Sequence, residues 1–216
     1  MRSKTVKVGS ATLILGDCLD CLAELEAETI AAVITDPPYC SGARTAAAMP
    51  GRAGMVRGRK FFDTLLPNDR MTSIGFTWLL RQVGLESARL LVPGGSFLTF
   101  IDWRQYPVAY AALETTNLRL QAMVVWDKLV YGLGNGFRNQ HELILHAANG
   151  VPKIFDRATP NVLRCARLAG SELHPAEKPV DLIKRLIAVV SAPGSIVLDP
   201  FMLGWTAPYG IECARL

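Results

Sequence analysis

The sequence predicts an α/β domain on a mostly parallel, doubly wound sheet, with an antiparallel pair of strands at one edge. Two observations carry this. Short apolar runs rich in β-branched residues recur along the chain, and helical patterns separate most of them. In addition, the run Ile30-Ala31-Ala32-Val33-Ile34 leads directly into Asp36-Pro37-Pro38-Tyr39. Such a run is what a parallel strand buried on both faces looks like, and open α/β sheets build their sites at the carboxyl ends of such strands.

Taken in order, strands are expected over residues 12–15, 31–35, 96–101, 122–126, 142–146 and 195–198. Residues 19–28 and 77–91 read as helices, the second closed by the turn Val92-Pro93-Gly94-Gly95. Residues 107–114 read as a third. Residues 178–191 set Leu182, Ile183, Leu186, Ile187 and Val190 on one face behind an early proline, the clearest amphipathic helix in the chain. The strands over 122–126 and 142–146 are joined through Tyr131-Gly132-Leu133-Gly134-Asn135-Gly136, which predicts the antiparallel edge pair. Residues 151–173 contain prolines, three arginines and no strong periodicity, so an inserted loop is expected there.

With 216 residues, half of them hydrophobic, the chain suits one domain, spanning 1–216, with a sizeable core. No apolar stretch approaches the roughly 20 residues that cross a bilayer, and residues 1–7 lack the apolar centre of a signal peptide. A cytoplasmic protein with no membrane partner is the expectation. The five cysteines, Cys18, Cys21, Cys40, Cys165 and Cys213, show no disulfide-scaffold spacing. Cys18 and Cys21 form a C-x-x-C without a second pair or a nearby histidine, so no metal site is expected, only one face of a short helix. The net charge of +4 is modest, but its distribution is uneven. Within 41–70, Arg44, Arg52, Arg57, Arg59, Lys60 and Arg70 face only Asp63 and Asp69. A basic loop of this kind suits phosphate contact, and equally a solvated loop with no partner.

The turn after the second expected strand has a specific chemistry. Asp36 and the Pro37 carbonyl can each accept one N–H from an exocyclic amine, and Tyr39 can stack on a planar ring. Neither Pro37 nor Pro38 has an N–H, so the turn presents acceptors and little else. That equips it to hold an aromatic ring that carries an amino group. Asp199 stands in a comparable position, ending the last expected strand before Pro200 and Phe201.

Together these segments resemble the permuted, beta-class amino-methyltransferases of DNA. Gly16-Asp17-Cys18 before a short helix is similar to the family's cofactor-adenine segment, which implies cofactor contacts at Asp17 and Cys18. Asp36-Pro37-Pro38-Tyr39 resembles the catalytic motif, with Asp36 also at the cofactor. Trp126-Asp127-Lys128 and Phe137-Arg138-Asn139-Gln140-His141-Glu142 resemble the paired strands that wall the target-base pocket. His174, Lys178, Pro179, Asp199, Pro200 and Phe201 lie in the two segments that resemble those gripping the methionine part of the cofactor. The resemblance implies a Rossmann-like methyltransferase fold, S-adenosylmethionine as cofactor and double-stranded DNA as substrate. It leaves a second copy of the chain or a companion restriction enzyme as protein partners. DNA contacts would come from Arg44, Arg52, Arg57, Arg59, Lys60 and Arg138, and sequence reading from residues 151–173.

The implied reaction is methyl transfer to a base flipped out of the duplex. Tyr39 would stack on the base while Asp36 and the Pro37 carbonyl aim the amine lone pair at the methyl group. No covalent intermediate is required, so Cys40 is assigned packing only. Aspartate at the first motif position favours adenine N6 over cytosine N4.

Two departures from the family pattern set further expectations. Leu203 and Trp205 stand where the cofactor loop of the family has glycine, leaving Gly204 and Thr206 as its small residues. Residues 209–216 read as the start of a helix, so the strand that follows it in the family is expected to be missing, leaving residues 195–216 an incomplete cofactor unit with a gap inside the sheet. Weak cofactor binding and little activity follow from that reading, and a catalytically inactive relative that binds DNA or a partner chain is the alternative of different class.

Overall fold

The computed structural model describes residues 4–39, 71–132, 136–168 and 177–202, and the backbone of Glu212–Arg215. The expected basic loop with Arg44, Arg52, Arg57, Arg59 and Lys60 lies outside the described residues. So do Cys40, His174, Leu203, Gly204, Trp205 and Thr206.

Among the described residues nine strands form one sheet: β1 (Lys4–Val8), β2 (Ala11–Leu15), β3 (Ile30–Thr35), β4 (Leu91–Ile101), β5 (Arg119–Asp127), β6 (His141–Ala148), β7 (Val162–Arg164), β8 (Val197–Asp199) and β9 (Glu212–Arg215). Their order across the sheet is β1-β2-β9-β8-β3-β4-β6-β5-β7. The five central strands from β2 to β4 are mutually parallel. β6 pairs antiparallel with both β4 and β5, as the glycine-rich connection implied.

Among the described residues four helices cover the sheet: α1 (Cys18–Glu24), α2 (Ser73–Leu90), α3 (Tyr106–Glu114) and α4 (Val180–Val190). Alternation along each strand divides the core between two faces. Val33, Phe97, Ile101, Leu143 and Leu145 pack under α1, α2 and α3 with Leu22, Phe76, Leu80 and Leu113. Ala32, Ile34, Leu98, Phe100, Trp126 and Ile144 point the other way, against Leu182, Ile183 and Leu186 of α4. α2, which leads into β4, and α4, which leads into β8, thus lie on opposite faces on the two sides of β3, the arrangement that opens a crevice at the carboxyl ends of such strands.

Five expectations are corrected. The strand held to be missing from the sheet is supplied by β9, whose register sets Leu13 against Cys213 on one side and Asp199 against Cys213 on the other. Residues 212–215 are therefore extended rather than helical, and they satisfy the backbone groups of β2 and β8 that a gap would leave unpaired. Residues 151–173 are not wholly a loop, because β7 pairs parallel with β5 and buries Leu163 beside Trp126. β7 rather than the antiparallel pair is consequently the sheet edge. The turn at Val92-Pro93-Gly94-Gly95 is a bulge within β4: Ile30 pairs with Leu91 and Ala32 with Ser96, so four residues oppose Ala31 alone. Gly94 there has φ +83°, and a Cβ on it would meet the Val151 carbonyl at 2.8 Å.

Candidate active site

Because β2, β9, β8, β3 and β4 run in one direction, their carboxyl ends share an edge of the sheet. That edge carries Asp17 after β2, Asp199 at the end of β8, Asp36 after β3 and Asp102 after β4. Four acidic residues are gathered there by topology alone.

Asp36 is 6% exposed, and Lys178 is 4% exposed, immediately before α4. The Lys178 Nζ donates to Asp36 Oδ2 at 2.5 Å and stands 3.5 Å from Glu142 Oε2. Glu142 receives a second lysine, Lys128 Nζ, at 2.6 Å on Oε1. The four charges therefore alternate in sign from Lys128 to Asp36. Burial acts against the Lys178 charge, yet the Asp36 and Glu142 carboxylates outweigh it and hold the ammonium above the usual lysine range. For Glu142, burial raises and the two lysines lower, with the lysines prevailing. An ion pair this deeply buried is costly to break, since either partner left alone would be an uncompensated charge.

Beside this network lies a cavity of about 330 Å³ lined by Tyr39, Trp103, Trp126, Lys128, Glu142 and Lys178, among others. Its walls are aromatic faces and ion-paired charges. Trp126 is fixed by a hydrogen bond from its Nε1 to the Cys165 carbonyl, 2.7 Å, and by an edge contact with Phe100. The antiparallel register sets Trp126 opposite Glu142, which is how residues sixteen apart in sequence come to share one wall. Tyr39 is half-buried and packs against the core from the cavity side, with Pro37 buried and Pro38 half-buried beside it. Such a cavity accepts a flat polar ring between aromatic groups, with the Glu142 carboxylate on its wall and Asp36 one ion pair away through Lys178.

On the other side of Asp36, Asp199 is fully buried. Its Oδ1 accepts from Thr35 Oγ1 at 2.6 Å and from the Phe201 N–H at 3.0 Å. Its Oδ2 has no hydrogen-bond partner among the described residues. Burial pushes this carboxyl up to about 7, its hydrogen bonds pull the other way, and the charge of Asp36 adds a further rise. An orphaned buried oxygen beside a second acid is a binding point for a cationic group, so the chemistry fits the amino-acid end of an S-adenosylmethionine-like molecule.

The remaining expected cofactor residues serve the scaffold as well. Asp17 caps α1, its Oδ1 accepting from the N–H groups of Leu19 at 2.9 Å and Asp20 at 3.4 Å. Cys18 is buried in the core, and burial raises its thiol to about 12, which leaves it inert. Pro179 caps α4, offering its carbonyl to the Leu182 and Ile183 N–H groups. Pro200 and Phe201 are buried, Phe201 within the core under α1. Arg138 is exposed, its Nε donating to the Gly132 carbonyl. Among the described residues no group of three or more acidic, histidine or cysteine side chains could hold a metal. No helix there is long and apolar enough to cross a membrane. Sequence reasoning gave Lys178 to the cofactor and assigned no individual role to Lys128 or Glu142. The available signal was two opposite charges flanking one hairpin at paired strand ends.

Comparison with known proteins gives a consistent result. A family model described as DNA methylase, of the N6 and N4 type, matches residues 30–166 and 156–207. The Escherichia coli (strain K12) protein named "Putative methylase YubD" is 27% identical over 188 residues, 87% of this chain and 74% of its own. Among solved structures, the PvuII DNA methyltransferase, cytosine-N4-specific, superposes with a TM-score of 0.68 at 14% identity over 99% of this chain and 86% of its own. M1.HpyAVI in complex with SAM does so at 0.61 and 17%, over 95% and 92%. TTHA0409 from Thermus thermophilus, complexed with S-adenosyl-L-methionine, does so at 0.60 and 20%, over 94% and 87%. At these identities the structural likeness establishes the fold.

Proposed function

The chain belongs to the N6/N4 DNA methylase family, and from that premise we propose that it moves a methyl group from S-adenosylmethionine to the N6 amine of a flipped adenine in double-stranded DNA. The observation that carries the reading is the buried Asp36 at the end of β3, ion-paired to Lys178 beside an aromatic cavity. The cofactor supplies an electrophilic methyl on a sulfonium. Everything else is done by this chain. Tyr39 stacks on the base, Asp36 and the Pro37 carbonyl accept the two amine N–H groups, and the nitrogen lone pair is turned out of conjugation toward the methyl. As the nitrogen bonds the methyl carbon, the carbon–sulfur bond of the sulfonium would break and its electron pair would leave on a neutral thioether; the nitrogen, cationic at that point and stabilised by the Asp36 carboxylate, would then lose a proton to solvent.

The order of the segments, with Asp36 ahead of Asp199, supports the permuted beta class. Asp36 as the first motif residue supports adenine. Asp199, with its unpartnered Oδ2, supports a site for the cofactor ammonium. Pro179, Pro200 and Phe201 support that site from its walls, as Asp17 and the backbone at Cys18 would at the adenine end. We assign His174, Gly204 and Thr206 to the same cofactor, and Arg44, Arg52, Arg57, Arg59, Lys60 and Arg138 to phosphates.

Mass spectrometry of nucleosides from DNA incubated with protein and S-adenosylmethionine tests this. N6-methyladenine is expected. N4-methylcytosine alone would replace the adenine assignment with the cytosine one. Neither product, with cofactor binding intact by calorimetry, would leave a DNA-binding protein that has lost its chemistry.

A further inference from the structure

A flipped base leaves a hole in the stack and an orphaned partner, and nothing in the cavity itself fills that hole. The connection between β5 and β6 offers what does. Phe137 is 108% exposed, so its ring touches almost nothing in the protein. Close by in sequence, Leu129, Val130 and Tyr131 are also 42–58% exposed, an apolar stretch that directly follows the cavity-lining Lys128. Its described residues are nonetheless tied to one another. The Arg138 guanidinium lies 3.9 Å from the centre of the Tyr131 ring, and its Nε donates to the Gly132 carbonyl at 2.8 Å. Gly132 N–H in turn donates to the Asn139 carbonyl, and Lys128 N–H to that of Gln140.

The base of this arm is the cavity wall: Lys128, Asn139, His141 and Glu142 line the pocket, and Phe137 is two residues beyond Asn139. The charges around it suit a polyanion. Arg104 and Arg167 line the same cavity, with Arg138 beside Phe137. The nearby acids Asp102, Asp127 and Glu142 are engaged by Arg104, Arg164 and the two lysines, and Glu177 is the other acid on the lining. An exposed aromatic ring flanked by arginines is how proteins enter a base stack while holding its phosphates. Resting on the DNA reading of the pocket, the geometry points to Phe137 as the wedge that enters the duplex where the target base leaves. The Arg138 contacts with Tyr131 and Gly132 hold the backbone that carries it.

Unwinding of closed circular plasmid tests this without knowledge of the recognition sequence. The full chain is bound to relaxed plasmid, treated with topoisomerase I and removed, and the change in linking number is read on a gel. Wild type should leave negative supercoils. Phe137→Ala should bind the plasmid within about threefold of wild type yet unwind about tenfold less per bound protein. Phe137→Trp should restore unwinding. If wild type binds without unwinding, or Phe137→Ala unwinds as well as wild type, the wedge assignment is overturned while the DNA reading stands. If wild type does not bind plasmid at all, the DNA reading itself fails. A wild-type dimer that Phe137→Ala converts to a monomer by sedimentation would make the patch a protein interface and overturn the wedge.

Discussion

Replacing Lys178 with methionine should show how strongly the site is built on one buried cation. Methionine keeps most of the side-chain length and removes the charge. Lys178 Nζ is 2.5 Å from Asp36 Oδ2, and the two side chains are 4% and 7% exposed. Removing one member of a buried pair typically costs about 3–5 kcal/mol, because the other charge remains buried. Glu142 keeps Lys128 at 2.6 Å, so the loss falls mainly on Asp36 and the lower end applies. At about 2–4 °C per kcal/mol for a chain of this length, the midpoint should drop roughly 6–12 °C. Calorimetry at pH 7 measures it. Asp36→Asn in the same chain should return part of the loss, since no uncompensated carboxylate then remains. The pH profile has a definite sign. The Lys178 contribution, from a raised pKa, is complete below about pH 10 and disappears as pH rises through the folded-state value. The Glu142 contribution, from a lowered pKa, is complete above its ordinary 4.5 and disappears as pH falls through the folded-state value. The wild-type advantage should therefore be flat between about pH 5 and pH 10. A midpoint within about 2 °C of wild type at pH 7 would mean that the pair is not structural, and the reasoning would fail.

Asp36→Ala should reduce kcat about 100-fold or more while plasmid binding changes less than threefold, because in the proposed reaction the carboxylate acts on the amine and not on phosphate; a residual rate above about a tenth of wild type would contradict that role. His146, 8% exposed and hydrogen-bonded to Ser96 Oγ at 3.1 Å, has its pKa lowered by burial to about 4. The unfolded chain binds that proton more readily, so stability is complete above pH 6.5 and falls toward pH 4, by about 3 kcal/mol at most; urea unfolding of wild type and His146→Leu at pH 7 and pH 5 should show a smaller acid loss in the variant. S-adenosylmethionine affinity should rise with pH up to about 7, at most tenfold for each unit, because a cationic ligand ionises Asp199 and releases its proton. Calorimetry in two buffers of different ionisation enthalpy reads the proton release, and an affinity independent of pH from 5.5 to 7.5 would count against Asp199 as the ammonium site.

What the sequence made legible follows burial. β3 and α4 could be read because each buries an apolar face with a clear period, and the Asp36 turn could be read because it ends such a strand. β1 is exposed along its whole length and carried no alternation. β7 has three residues and buries only Leu163, too little for a pattern. β9 is held on both sides by strands distant in sequence, so its extended state comes from pairing and not from local preference. The same holds at the site. Asp36, Tyr39 and Asp199 stood out by their local context, whereas the link from Lys178 to Asp36 spans 142 residues and exists only once α4 packs across β3.

That distance gives the site its logic. Asp36 and Asp199 end neighbouring parallel strands and are both buried, so burial alone would treat them alike. They differ in what the rest of the chain brings to them. Lys178 meets Asp36 and supplies a full positive charge, while Asp199 receives only a hydroxyl and a backbone N–H on one oxygen. One carboxylate is thereby ready to accept from an amine, and the other sits near neutrality until a cation reaches its free oxygen. Two like acids in one crevice would otherwise repel. The fold avoids this by giving the resident cation to Asp36, the acid that faces the base on the proposed reading, and by leaving Asp199 for a charge that the methyl donor would carry in. Loading the donor should then strengthen the field at Asp199 without disturbing the Asp36–Lys178 pair, which keeps cofactor binding and base capture separable events.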